Sequence, residues 1–159
     1  KLIKGTQTLE LSDLGGTILR WRDGERDLFY PHHMIQVGDN TEPRGGMFAC
    51  FPNFSIPDSS FGLPLHGTLQ HEYGSFEHIS ESECRITFEG SHLTGANAQP
   101  VQVETHIKMH DMGFTYTLTA RLMDNATQPV FINLGLHPYF PTPQENKQQR
   151  FMTHISWAD

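Results

Sequence analysis

An all-β fold of antiparallel strands, a sandwich or an open barrel, is the architecture this sequence predicts. Three features predict it. Apolar residues recur mainly at a spacing of two, turn-forming residues punctuate those runs, and no stretch of ten or more residues carries a convincing helical period.

Taken in order, residues 6–11 read as the first strand. Residues 17–22 and 27–30 flank Asp23-Gly24, a dipeptide that accepts the positive φ of a tight hairpin. Residues 84–89 read as a further strand. The clearest signal follows: Val101, Val103, Thr105, Ile107 and Met109 alternate with Gln102, Glu104, His106 and Lys108. After the turn Asp111-Met112-Gly113, Phe114, Tyr116, Leu118 and Ala120 alternate with Thr115, Thr117, Thr119 and Arg121. This is a long hairpin with one apolar face. Residues 129–136 read as a last, more continuously apolar strand. Glu77, Glu81 and Glu83, interleaved with Ser80 and Ser82, read as a solvated edge or loop.

Between residues 30 and 73 the alternation breaks. Five prolines (31, 43, 52, 57 and 64) and five glycines (38, 45, 46, 62 and 67) interrupt it. The stretch is too long for a structureless loop, and Met47, Phe48, Phe51, Phe54, Phe61, Leu63 and Leu65 make it a packed one. A rigid, aromatic-rich excursion from a β scaffold is where a binding site is built.

The chain of 159 residues suits one domain, residues 1–159, and its net charge of −7 argues against a nucleic-acid partner. No run of about 18 apolar residues exists, so no membrane-spanning helix is expected. Cys50 and Cys84 are the only cysteines. They read as free thiols of a reducing compartment, which points to a cytoplasmic protein.

Ten histidines raise the question of a metal. There is no His-x-His and no His-Glu-x-x-His, and His106 and His110 on one strand lie roughly 13 Å apart. No metal is expected. His32, His33, His78, His92, His106, His110 and His154 read as surface residues. Two histidines stand apart. His66 sits in the turn Gly62-Leu63-Pro64-Leu65-His66-Gly67. His137 ends an apolar strand in Asn133-Leu134-Gly135-Leu136-His137-Pro138-Tyr139-Phe140. A histidine so placed can serve as a general acid or base at neutral pH; a buried histidine bonded to a backbone carbonyl is the alternative. Arg44, before Gly45-Gly46, is the third candidate. Its donors suit hydroxyl oxygens or a phosphate, and the glycines would let the backbone approach a ligand. The alternative is a surface arginine paired with Asp39 or Glu42.

Three segments, in order, resemble the aldose 1-epimerase (galactose mutarotase-like) superfamily. They are Pro43-Arg44-Gly45-Gly46-Met47-Phe48-Ala49-Cys50-Phe51-Pro52-Asn53-Phe54, Leu63-Pro64-Leu65-His66-Gly67 and His137-Pro138-Tyr139-Phe140. The nearest likeness is to its hexose-6-phosphate mutarotase (glucose-6-phosphate 1-epimerase) branch. Residues 94–121 look like that family's central hairpin. The resemblance implies an antiparallel supersandwich with a sugar cleft on one sheet, no cofactor, and interconversion of the α and β anomers of an aldohexose or hexose phosphate. It implies that His137 is the acid that protonates the ring oxygen. His66 would hold the ring oxygen or a neighbouring hydroxyl, and Arg44 would bind hydroxyls or phosphate.

The sequence departs from that pattern twice. Gln70, a further expected substrate-binding residue, stands where the phosphate-preferring branch carries arginine, which weakens the expectation of a phosphosugar. The family's glutamate base lies about 100 or more residues beyond His-Pro-Tyr-Phe, whereas this chain ends 22 residues after His137 and Glu145 is too near it. The expectation is therefore the N-terminal part of a larger fold, incomplete at its C-terminus, whose open sheet edge favours self-association. A carbohydrate-binding module of the same fold, without the catalytic glutamate, is the alternative function.

Overall fold

The computed structural model describes residues 1–54, 62–130 and 132–141. Among them twelve strands run in chain order. They are β1 (Leu2–Lys4), β2 (Gln7–Leu11), β3 (Ile18–Asp23), β4 (Arg26–Asp27), β5 (His33–Val37), β6 (Asn40–Arg44), β7 (Met47–Cys50), β8 (Ser75–Ser80), β9 (Glu83–Glu89), β10 (Val101–His110), β11 (Gly113–Leu122) and β12 (Gly135–Pro138). The helical segments among the described residues are two 3-10 stretches, Leu69–His71 and Ser91–Asn97. The fold is the antiparallel β-sandwich that the period-two pattern predicts.

One sheet runs β1-β2-β3-β7-β12, with β4 beside β3; the other runs β11-β10-β9-β8. β5 and β6 form a separate two-stranded ribbon. The alternation along β10 becomes burial: Val101, Val103, Thr105, Ile107 and Met109 are all buried, while the residues between them are not. The partner strand continues the same face, since Ile107 lies opposite Tyr116 and Met109 opposite Phe114. Removing these side chains from water is the main force that pairs the sheets.

Two groups of core residues result. Leu2, Leu9, Ile18, Phe29, Met47, Cys84, Ile107 and Met109 form one. Ala49, Phe51, Leu69, Ile86, Phe88, Leu93, Val101 and Val103 form the other. Trp21 meets Phe29 and Phe114 edge-on, with ring centroids 5.2 Å and 5.0 Å apart. Buried Gln7 ties the layers together. Its amide donates to the Asp111 carbonyl at 2.7 Å and its oxygen accepts from the Trp21 indole at 3.1 Å. Cys50 and Cys84 are buried free thiols, each pushed up to about 11 by burial. No helix among the described residues is long and apolar enough to cross a membrane.

The stretch 30–73, read from sequence as an excursion, contributes strands β5, β6 and β7. Gly45 and Gly46 make this possible, but not by admitting a ligand as their sequence suggested. Both have positive φ, and a Cβ on either would collide with backbone, that of Pro31 for Gly45 and that of Ile18 for Gly46. The glycines serve close packing of the chain on itself.

Two other expectations are corrected. The strand expected over 129–136 is instead β12, Gly135–Pro138. Upstream of it the Asn133 amide donates to the Pro52 carbonyl and so leaves the ladder. The strand expected over 27–30 stops at Asp27, because the amides of Leu28 and Phe29 both donate to the Trp21 carbonyl. Glu77 lies on edge strand β8 and Glu83 on β9, with Glu81 in the turn between them. Pro57, Phe61, Phe131, Glu145 and His154 lie outside the described residues.

Candidate functional site

The site is built on the outer face of β7 and β12. Met47 and Ala49 are buried in the core, so Phe48 between them projects the other way. β12 pairs with β7 in a register that sets His137 opposite Phe48. His137 and Phe48 therefore share the outer face, and Tyr139, two residues on, joins them. The rings pack closely. His137 stacks on Phe48 with centroids 5.0 Å apart and planes 11° from parallel, and on Tyr139 at 4.8 Å.

His66 reaches the same place from a different segment. Its turn is held from several directions. The Gly67 amide donates to the Pro64 carbonyl, the Asn53 amide donates to the same oxygen at 3.2 Å, and the Thr68 amide donates to the Phe51 carbonyl. Gly67 itself leaves no room for a side chain against Phe51. His66 adopts a left-handed φ of 63°, an unfavourable conformation for a residue with a Cβ. The result is a ring set edge-on to His137, with centroids 5.1 Å apart, and 5.9 Å from Phe48. Nδ1 of His66 lies 2.7 Å from the Phe54 carbonyl oxygen. A carbonyl can only accept, so this nitrogen carries the proton and Nε2 of the neutral ring holds the lone pair.

The electrostatics of His137 follow from this packing. Burial among the rings holds its pKa below the ordinary histidine value, and the neighbouring His66 and the Arg44 charge act in the same direction. Its Nδ1 is buried and finds no hydrogen-bond partner among the described residues. A ring with an unmade hydrogen bond and a weakened hold on its proton is suited to passing that proton to a bound oxygen.

The other two sequence candidates occupy different positions. Arg44, at the end of β6, is engaged with Glu42 at 2.7 Å and with the Pro43 carbonyl at 2.9 Å. It acts on His137 through its charge. Gln70 is not among the rings that meet; its amide donates to the Leu65 carbonyl at 3.2 Å and braces the turn that carries His66. Of the histidines read as surface residues, His106 bonds Glu83, His92 pairs with Glu72 and His110 bonds Thr115. No group of three or more metal-ligating side chains occurs among the described residues.

Phe48 and Tyr139 are site residues that the reading of candidates passed over. The signal for Tyr139 was present, since two residues along a strand return to the same face. Phe48 required the register of β7 against β12, which is a long-range fact.

An apolar concavity of about 890 Å³ lies on the opposite side of β12, among Trp21, Phe29, Phe114, Tyr116, Leu136 and Phe140. It is open to solvent, with Met112 and Leu136 on its wall exposed, and few polar groups converge on it.

No model of a known protein family matches the chain, and no curated protein matches it in sequence. Solved structures do match. A galactose mutarotase-related enzyme from Lactobacillus acidophilus superposes with a TM-score of 0.71 at 12% identity, over 93% of this chain and 50% of that one. A galactose mutarotase-like protein from Lactobacillus casei gives 0.73 at 12% identity, over 91% and 51%. A candidate aldose 1-epimerase from Escherichia coli K12 gives 0.68 at 19% identity, over 89% and 51%. The chain spans about half the length of these structures. What it shares with them is their fold, an antiparallel β-sandwich of the galactose mutarotase-like kind.

Proposed function

We propose that the protein interconverts the α and β anomers of an aldohexose by opening and reclosing the sugar ring, with His137 delivering a proton to the ring oxygen. The observation that carries this reading is the convergence of His66 and His137 on one sheet face, 5.1 Å apart and walled by Phe48 and Tyr139. Aromatic rings offer a surface to the apolar C–H face of a sugar, and two imidazoles offer hydrogen bonds to its oxygens. Proton transfer from a positioned group contributes about 10²- to 10⁴-fold. The depressed pKa of His137 makes its imidazolium a stronger acid, which favours transfer to a weakly basic ring oxygen.

A neutral sugar fits better than a sugar phosphate. Arg44 is already paired with Glu42, and the Gln70 amide is spent on a backbone carbonyl. Neither offers a free cation to a phosphate group.

Exchange NMR between anomers tests the reading, using glucose, galactose and glucose 6-phosphate with the wild-type chain and His137→Ala. Acceleration with a neutral sugar that His137→Ala abolishes is expected. Sugar binding without any acceleration would overturn catalysis in favour of a carbohydrate-binding module. Acceleration confined to glucose 6-phosphate would overturn the choice of substrate.

A further inference from the structure

We infer that Phe54 is the surface on which the sugar ring stacks, the floor of the site beside His66 and His137. This rests on the sugar-binding half of the reading above and not on its proton transfers. It concerns what orients the sugar rather than what reacts with it.

The place of the phenyl ring is set by Gly135. Gly135 lies two residues before His137 on β12, so a side chain there would share the outer face of the imidazole. It has none, and the Phe54 ring lies in the space: a Cβ on Gly135 would collide with Cγ and Cδ2 of Phe54. The backbone brings the ring to that spot. Asn53, the residue before it, bridges to Asn133 on the chain entering β12, and the Asn133 amide donates to the Pro52 carbonyl. Phe54 is tied to the other histidine as well. Its carbonyl accepts the Nδ1 proton of His66 at 2.7 Å, and the two rings lie 6.1 Å apart at a tilt of 49°. One residue thus lies against the strand that carries His137 and aims the ring of His66.

Phe48 and Tyr139 serve differently. Each stacks on His137, so the imidazole already covers a face of each, and both are partly buried. They hold the histidine. Phe54 is 40% exposed, more than either of them or the two histidines, and its contact with His66 is tilted rather than stacked. An apolar ring left open beside two imidazoles suits a ligand that is apolar on one side and polar at its rim. A pyranose is such a ligand. Its C–H face covers the phenyl ring and leaves water there, while its oxygens meet the imidazole nitrogens. A phenyl floor offers no strong hydrogen bond, so it sets the tilt of the sugar and leaves the choice of oxygen to the histidines.

The test is sugar binding, by NMR titration of the whole chain with glucose, galactose and glucose 6-phosphate, in wild type, Phe54→Leu and Phe54→Tyr. Leucine keeps apolar bulk against Gly135 and leaves the backbone carbonyl to His66; tyrosine keeps the ring face. In the wild type, C–H protons of the bound sugar should shift upfield, as protons held over an aromatic face do. Phe54→Leu should weaken binding by about 3- to 10-fold, the scale of one aromatic contact, and abolish most of that shift. Phe54→Tyr should bind within about twofold of wild type. A wild-type complex without the upfield shift would overturn the proposal, and this result needs no variant. Binding by Phe54→Leu within about 1.5-fold of wild type, or with the full shift retained, would also overturn it and assign the stacking to Phe48 or Tyr139. Anomer exchange is read on the same samples. Stacking on Phe54 without any acceleration would overturn the proposed catalysis and leave the role of Phe54 standing. Acceleration with no effect of Phe54→Leu on binding or shift would do the reverse. A wild-type chain that binds none of the three sugars would overturn both readings.

Discussion

Ile107→Ala examines whether the period-two face of β10 is what holds the sheets together. Ile107 is fully buried, flanked by Cys84 on β9 and Tyr116 on β11, and packed with Leu2, Leu9 and Met109. The substitution removes three buried carbons, which at about 0.8 kcal/mol each contribute about 2.4 kcal/mol of lost transfer energy. The cavity left in a core that collapses incompletely adds to this, for a total of about 3–4 kcal/mol. In a chain of this length that lowers Tm by roughly 6–16 °C. Urea unfolding followed by circular dichroism measures it, with the midpoint falling and the slope unchanged. Thr119→Ala is the control. It lies on the same hairpin but on the exposed face, and should cost under about 1 kcal/mol. Equal costs for the two substitutions would refute the assignment of the buried face.

Three further outcomes are expected. Phe48→Ala admits water to His137 and relieves the burial that depresses its pKa, so the pKa rises toward 6.5 in an NMR titration. The sign extends to stability: His137 stays neutral where the unfolded chain binds a proton, so wild-type stability falls as pH drops through about 6.5 and below, and His137→Gln flattens that slope. Gly46→Ala should cost more than Gly24→Ala in denaturant unfolding. Both have positive φ, worth about 1–3 kcal/mol to a residue with a Cβ, but only Gly46 would also collide with the Ile18 carbonyl. Cys50 and Cys84 should resist a thiol reagent at pH 8 in the folded protein and react together on unfolding, because burial suppresses the thiolate of each.

What could be read from the sequence follows the range of the interactions involved. The β10–β11 hairpin was fully legible, since its apolar face, its turn and its partner lie within 22 contiguous residues. β7 was not. Its four residues, Met47–Cys50, carry no alternation long enough to count, and they become a strand through pairing with β12, which lies far along the chain. β12 was misplaced toward residues 129–136, because apolar content alone does not reveal that the Asn133 amide leaves the ladder for Pro52. At the site, His66 and His137 were legible as residues with unusual surroundings. Their meeting was implied by a family likeness and not by spacing. The ion pair that occupies Arg44 was legible as one of two local options, Asp39 or Glu42, and the structure selects Glu42.

β12 has two faces with opposite duties. Leu136 and Pro138 face the open apolar concavity on one side, while His137 faces the ring cluster on the other. Four residue pairs against β7 hold this arrangement, together with the Tyr139 amide on the Gly46 carbonyl and the Tyr30 amide on the Tyr139 carbonyl. A slip of one residue, about 3.3 Å, would turn the imidazole toward the apolar concavity and Leu136 toward the ring cluster. The protein would keep its strands and its composition and lose the cluster of His66, His137, Phe48 and Tyr139. The placement of His137 is thus stored less in the residue than in the register of one short strand.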